Sequence, residues 1–215
     1  MLTRTHLLLA LWLGLAPGLA AAQADFGGET ASTEARHVAD WAVHAADAAG
    51  LPFIVVDKVQ ARLFVFDAKG GLLGASAALV GSAAGDASVP GIGMRKLSTI
   101  RPEERTTPAG RFVASIGRSL AGEDILWVDY DAAVALHRVI ATQPAERRLQ
   151  RLEGGVAADR RITYGCINVP VKFFERIVAT AFRGAGGIVY ILPEGRGARE
   201  TFGSYDLGAA PSIRR

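Results

Sequence analysis

The sequence predicts a mainly β domain decorated by three helices: one N-terminal, one inserted and one after the lone cysteine. Three observations carry this expectation. Short runs rich in Val, Ile and Phe recur between turn residues, as at 53–57, 62–67 and 188–192. Helical spacing of apolar residues is confined to 34–49, 144–153 and 170–183. Half of the 215 residues are apolar and 21% are charged, so the chain can bury one sizeable core and is too short for two large domains.

Residues 1–24 read as a signal peptide. Arg4 precedes an apolar run at 7–16, and Ala22-Gln23-Ala24 is a small-x-small cleavage pattern, with cleavage expected after Ala24. The apolar run is shorter than the roughly 20 residues a spanning helix needs, so no transmembrane segment is expected and the mature protein should be exported, to the periplasm or cell envelope. Losing Arg4 lowers the formal charge from +3 to +2. The arginines are scattered, with no basic stripe interleaved with aromatics, which argues against a nucleic-acid partner. A mildly basic surface suits an anionic polymer outside the cytoplasm.

Residues 25–50 form a polar leader and an amphipathic helix. Ser32 or Thr33 can cap it, Val38, Trp41, Ala42, Ala45 and Ala48 recur at helical spacing, and Gly50-Leu51-Pro52 stops it. His37 and His44 share one face of this helix, but no acidic residue or cysteine completes a metal-ligand spacing, so neither a metal nor another cofactor is expected. Strand-like runs at 53–57, 62–67 and 72–80 read as a β-meander with a turn at Lys69-Gly70-Gly71. The segment 81–108, about 28 residues, is longer than a connection needs and should cover or shape a site. Strands resume at Thr107-Pro108-Ala109-Gly110-Arg111-Phe112 through Ile116, at 125–129 around Trp127, and at Ala135-Leu136-His137-Arg138. Pro144 and Gly154 punctuate the inserted helix. Val171, Phe174, Ile177, Val178 and Ala181 mark the next, and 188–192 is the last strand. The main domain therefore spans 51–193, and the polar, Gly-rich 194–215 reads as a flexible tail.

The chemistry centres on Thr163-Tyr164-Gly165-Cys166-Ile167-Asn168. In an exported protein, a single cysteine is an intermolecular bridge, an inert buried thiol or a reactive one. A thiol with an ordinary pKa of about 8.5 needs a base to act as a nucleophile near neutral pH. His6 leaves with the signal peptide and His37 and His44 lie on the outer helix, so His137 is the candidate base. Gly165 permits a tight turn, the Tyr164, Gly165 and Cys166 amides can converge on an oxyanion, and the helix opened by Pro170 favours a thiolate. These parts suit acyl transfer through a thioester. They equally suit a buried turn in which Cys166 is a small hydrophobe and His137 a satisfied core histidine.

Together, His137, Thr163-x-Gly165-Cys166-Ile167-Asn168, the 55–57 and 62–66 strands and Thr107-Pro108-Ala109-Gly110-Arg111-Phe112 resemble the L,D-transpeptidase catalytic domain, the YkuD-like fold. The resemblance covers roughly 52–192. It implies a β-sandwich-like domain that cross-links peptidoglycan stem peptides and is acylated by β-lactams of the carbapenem type. It also implies Cys166 as nucleophile and His137 as general base. Gly165 and the Tyr164 and Cys166 amides would form the oxyanion site, with Thr163 and Asn168 in support. A diaminopimelate-type amine would resolve the thioester.

Two features depart from the family pattern. Tyr164 stands where a histidine is usual, and the stretch between His137 and Cys166 is longer, by the length of the inserted helix. That helix reads as a lid or acceptor-side wall, with Arg138, Arg147, Arg148 and Arg151 as candidates for meeting stem carboxylates. Water as acceptor would make the protein a murein L,D-carboxypeptidase or hydrolase, and Tyr164 is the best argument for a non-catalytic wall-binding protein. Papain-like peptidases place cysteine before histidine, and sortases need an arginine on a strand after the cysteine, where this chain has a helical pattern. With only Asp129 and Asp131 near His137 in sequence, a backbone carbonyl is expected to orient the imidazole.

Overall fold

The structure is a computed structural model that describes residues 22–207. The signal-peptide assignment falls almost wholly outside the described residues, as do residues 208–215 of the expected tail.

Helix α1 (Thr33–His44) is capped by Ser32, whose side-chain oxygen accepts the Ala35 N–H at 3.1 Å. It ends sooner than its apolar spacing suggests, in turns where Ala46 and Ala49 take positive φ. Strands β1 (Phe53–Asp57), β2 (Arg62–Phe66) and β3 (Leu72–Ala77) form the expected antiparallel meander. The short β4 (Val80–Gly81) comes next, then β5 (Gly110–Arg118), β6 (Asp124–Asp129) and β7 (Val134–Arg138). The last three strands are β8 (Arg161–Thr163), β9 (Ile167–Val169) and β10 (Gly187–Ile191). Eight of them make one sheet in the order β3-β2-β1-β10-β5-β6-β7-β9, while β4 and β8 form a separate parallel ribbon.

The domain is mainly β, as expected, but the sandwich-like layering takes the form of one curled sheet. The corner is β5: its first half, from Gly110 to Ala114, pairs with β10, and its second half, from Ser115, pairs with β6. At the far ends, Leu79 and Asn168 exchange backbone hydrogen bonds of 2.8 and 2.9 Å, so the sheet nearly closes. Inward-facing residues of both halves, including Ile54, Val65, Leu126, Leu136 and Val189, share one core. The helical run 171–181, here α3, adds Phe174 and Val178 to that core. It is α-helical over Val171–Phe173, π-wound over Phe174–Val178 and α-helical again over Ala179–Ala181.

A second core lies on the outer face of β1, β2 and β10, where Phe53, Val55, Phe64, Phe66 and Tyr190 pack under Val38, Trp41 and Ala42 of α1. Every residue of β1 and β10 is consequently buried, whereas β5 alternates between core and solvent.

Two other expectations change. The inserted helix is not continuous: a 3-10 turn at Pro144–Glu146 breaks at Arg147, which is left-handed, before α2 (Arg148–Glu153) begins. The expected loose tail is tied down over its described part. Helix α4 (Ala198–Phe202) buries Ala198 and sets Phe202 edge-on to Tyr190, and the two outer-helix histidines hold the residues just beyond it. His37 bonds Ser204 at 2.9 Å and His44 bonds Tyr205 at 3.0 Å. Polar composition concealed this docking because its partners lie on α1, far off in sequence.

Candidate active site

β9 runs parallel to β7, with His137 opposite Asn168 and Leu136 opposite Ile167, which brings Cys166, just before β9, into the neighbourhood of His137. Side chains alternate across a strand, so Ala135, His137, Cys166 and Asn168 all lie on the outer face, with Leu136 and Ile167 in the core. β9 had no strand signal in the sequence; it is only three residues long and ends at Pro170.

The turn that presents the thiol is held from several sides. Gly165 has φ +133°, and a Cβ there would lie 2.7 Å from the Thr106 carbonyl oxygen, so both conformation and space require glycine. Thr163 Oγ1 donates to the Cys166 carbonyl at 2.6 Å and accepts the Gly165 N–H at 3.1 Å. That engages one of the three expected oxyanion donors and leaves the Tyr164 and Cys166 amides as the candidates. Thr107 Oγ1 donates to the Gly165 carbonyl at 2.8 Å and accepts the Gly81 N–H at 2.8 Å. Beneath it, the buried Lys58 ammonium donates to the Thr107 carbonyl at 2.9 Å and pairs with Asp86 at 3.0 Å. The Thr-Pro-x-Gly segment thus braces the cysteine turn.

The imidazole is fixed at both nitrogens. Nδ1 donates to the Arg138 carbonyl at 2.7 Å, the backbone orienter expected from the sequence. Arg148 Nη1 donates to Asn168 Oδ1 at 2.9 Å, which turns Asn168 Nδ2 towards His137 Nε2, 3.1 Å away. Nε2 is therefore the unprotonated, accepting nitrogen, and in this geometry its partner is Asn168. Cys166 Sγ instead reaches the Ala133 carbonyl at 3.7 Å.

Burial pushes the Cys166 thiol up, opposed by the Ala135 N–H and the Arg148 charge. Burial also holds the His137 imidazolium down, helped by Arg148 and opposed by the Arg138 carbonyl and Glu123. Both shifts favour a neutral thiol beside a neutral imidazole over a preformed ion pair.

A cleft of about 90 Å³ opens over Cys166, lined by Ile92, Arg95, Ile100, Thr106, Tyr164 and Cys166. Four of these six come from the 81–108 segment, which therefore does shape the site. Tyr164 carries the Arg105 guanidinium 4.0 Å above its ring centroid, and Arg105 is anchored on the Ile100 carbonyl. Arg95 pairs with Glu104 at 3.1 Å, and Arg95 and Arg101 together hold that carboxyl down to about 2.

Of the four arginines proposed to meet substrate, only Arg148 reaches the catalytic cluster. Arg138 lies over Phe174 and pairs with Glu175 at 3.1 Å, Arg151 holds the Glu146 carbonyl at 2.7 Å, and Arg147 lines a separate surface hollow. Arg95 and Arg105 were missed, because no local pattern links them to Cys166. A larger cavity, about 650 Å³ between the start of α1, β3 and Arg160, lies apart from this chemistry.

The chain matches no protein-family model and no curated protein.

A thiol, an imidazole whose Nε2 accepts, an amide that steadies it and two candidate oxyanion donors are groups that can support acyl transfer.

Proposed function

We propose that the protein is an exported cysteine acyltransferase that acts on peptidoglycan stem peptides in the manner of an L,D-transpeptidase. The observation that carries this reading is the shared face of the paired strands β7 and β9, which carries both the lone thiol and an imidazole whose Nε2 accepts from Asn168. The cleft beside the thiol is lined by Arg95, and Arg105 stacks on its Tyr164 wall, a basic surrounding that suits the carboxylates of a stem peptide.

In the first half-reaction, His137 Nε2 releases the Asn168 amide and takes the proton from Cys166 Sγ. The sulfur attacks the carbonyl of the stem's third residue, and the resulting oxyanion is met by the Tyr164 and Cys166 amides. Collapse breaks the amide bond, the departing D-alanine amine receives the proton from His137, and a thioester remains. In the second half, an acceptor amine attacks the thioester, its proton passes to His137 Nε2, and the C–S bond breaks to return the thiol.

A second reading, non-catalytic binding of the same polymer, draws on the Asn168–His137 bond that occupies Nε2. Incubation with tetrapeptide muropeptides separates these outcomes. Dimers joined between third residues are expected; tripeptides alone would show water as the acceptor, and unchanged tetrapeptide would refute acyl transfer.

A further inference from the structure

The register across the outer face of the sheet sets an aromatic pair in line with the thiol. Trp127 on β6 faces Ala135 on β7, whose N–H in turn reaches the Cys166 thiol, so one row runs Trp127, Ala135, Cys166. Only the methyl of Ala135 stands between the indole and the thiol in that row. Strands lie about 4.8 Å apart, so the two ends are separated by roughly 10 Å.

Trp127 pairs with Ser115 on β5 and has room because its indole lies diagonally over Gly117, where a Cβ would come within 2.7 Å of it. Tyr130 leans on it with ring centroids 4.6 Å apart and is itself 75% exposed. An exposed tyrosine ring held on a half-buried indole is a cost that the fold's own cores do not explain, since neither ring belongs to them. Asp129 and the exposed Asp131 flank Tyr130 in the chain; Asp129 Oδ1 accepts the Ala132 N–H at 3.0 Å.

We propose that Trp127 and Tyr130 form a sugar-binding platform that receives the glycan end of the substrate while its peptide reaches Cys166. The axial C–H groups of a pyranose ring carry partial positive charge and pack against the negative face of an aromatic ring, and its hydroxyls donate to carboxylates. The spacing fits as well. An extended chain rises about 3.3–3.6 Å per residue, so roughly 10 Å is the reach of the three stem residues between a sugar and the scissile carbonyl. This inference rests on the acyl-transfer reading and adds the sugar as a recognised part of the substrate.

The test compares a free stem tetrapeptide with the same peptide carrying its disaccharide, in the native protein and in Tyr130→Ala and Trp127→Phe. Native protein should show the lower KM for the disaccharide-linked peptide. Tyr130→Ala should raise that KM about three- to tenfold, with a smaller rise for Trp127→Phe, and both should leave free-peptide turnover and carbapenem acylation unchanged. Equal KM values for the two substrates in native protein, or equal losses on both in the variants, would overturn the platform. If native protein acylates with nothing, the acyl-transfer reading fails by itself. Fluorescence titration with peptide-free disaccharide then still reads the platform: saturable quenching that Tyr130→Ala weakens supports it, and no quenching in native protein refutes it.

Discussion

The two halves of the curled sheet do different work. Strands β1, β2 and β10 are covered on both faces, by the shared core within and by α1 outside, and almost no residue of theirs meets solvent. In the other half β9 is buried throughout, but β5, β6 and the end of β7 reach solvent on the outer face, the face that carries Cys166, His137, Asn168 and Trp127. The doubly covered half holds the fold together. The less covered half is a rigid wall on which chemistry can be presented, since alternation sends every second side chain outward.

Substitutions in the two halves should differ accordingly. The largest effect is expected for Phe66→Ala, which removes a fully buried ring stacked on Phe53 at 4.8 Å; denaturant unfolding should show a loss of about 3–5 kcal/mol. Gly165→Ala comes next. Forcing a Cβ against the Thr106 carbonyl in a left-handed turn should cost about 1–3 kcal/mol and abolish acylation, as measured by unfolding and by intact mass.

Arg148→Gln should act on rate more than on stability. In the proposed reaction neutral His137 is the base, and burial together with the Arg148 charge keeps its proton affinity low, so the acid limb of the acylation rate should fall below the ordinary imidazole range. Removing that charge should move the limb upward, towards the ordinary imidazole value; a limb that stays in place would separate Arg148 from His137. The smallest effect is expected at Val113, which is 75% exposed on the outer face of β5: Val113→Thr should change stability by less than about 0.5 kcal/mol.

The same contrast explains what the sequence could reveal. β1, β2 and β10 announce themselves because burial on both faces demands unbroken runs such as Phe53-Ile54-Val55-Val56. β9, β4 and β8 do not, being two or three residues long and defined by partners elsewhere in the chain. Within the site, the thiol and imidazole could be found by elimination, as the lone cysteine and the last histidine left. The hydrogen bonds from Arg148 to Asn168 and from Thr107 to Gly165, and the stacking of Arg105 on Tyr164, carry no local signature, because each joins segments brought together only by the curl of the sheet.

The central claim is that Cys166 is an acylating nucleophile, and intact-mass measurement after incubation with a carbapenem tests it most directly. Native protein should gain the mass of one β-lactam, mapped to Cys166, while Cys166→Ala, folded to the same melting temperature, should gain none. Folded native protein that keeps an unmodified Cys166 would contradict the account.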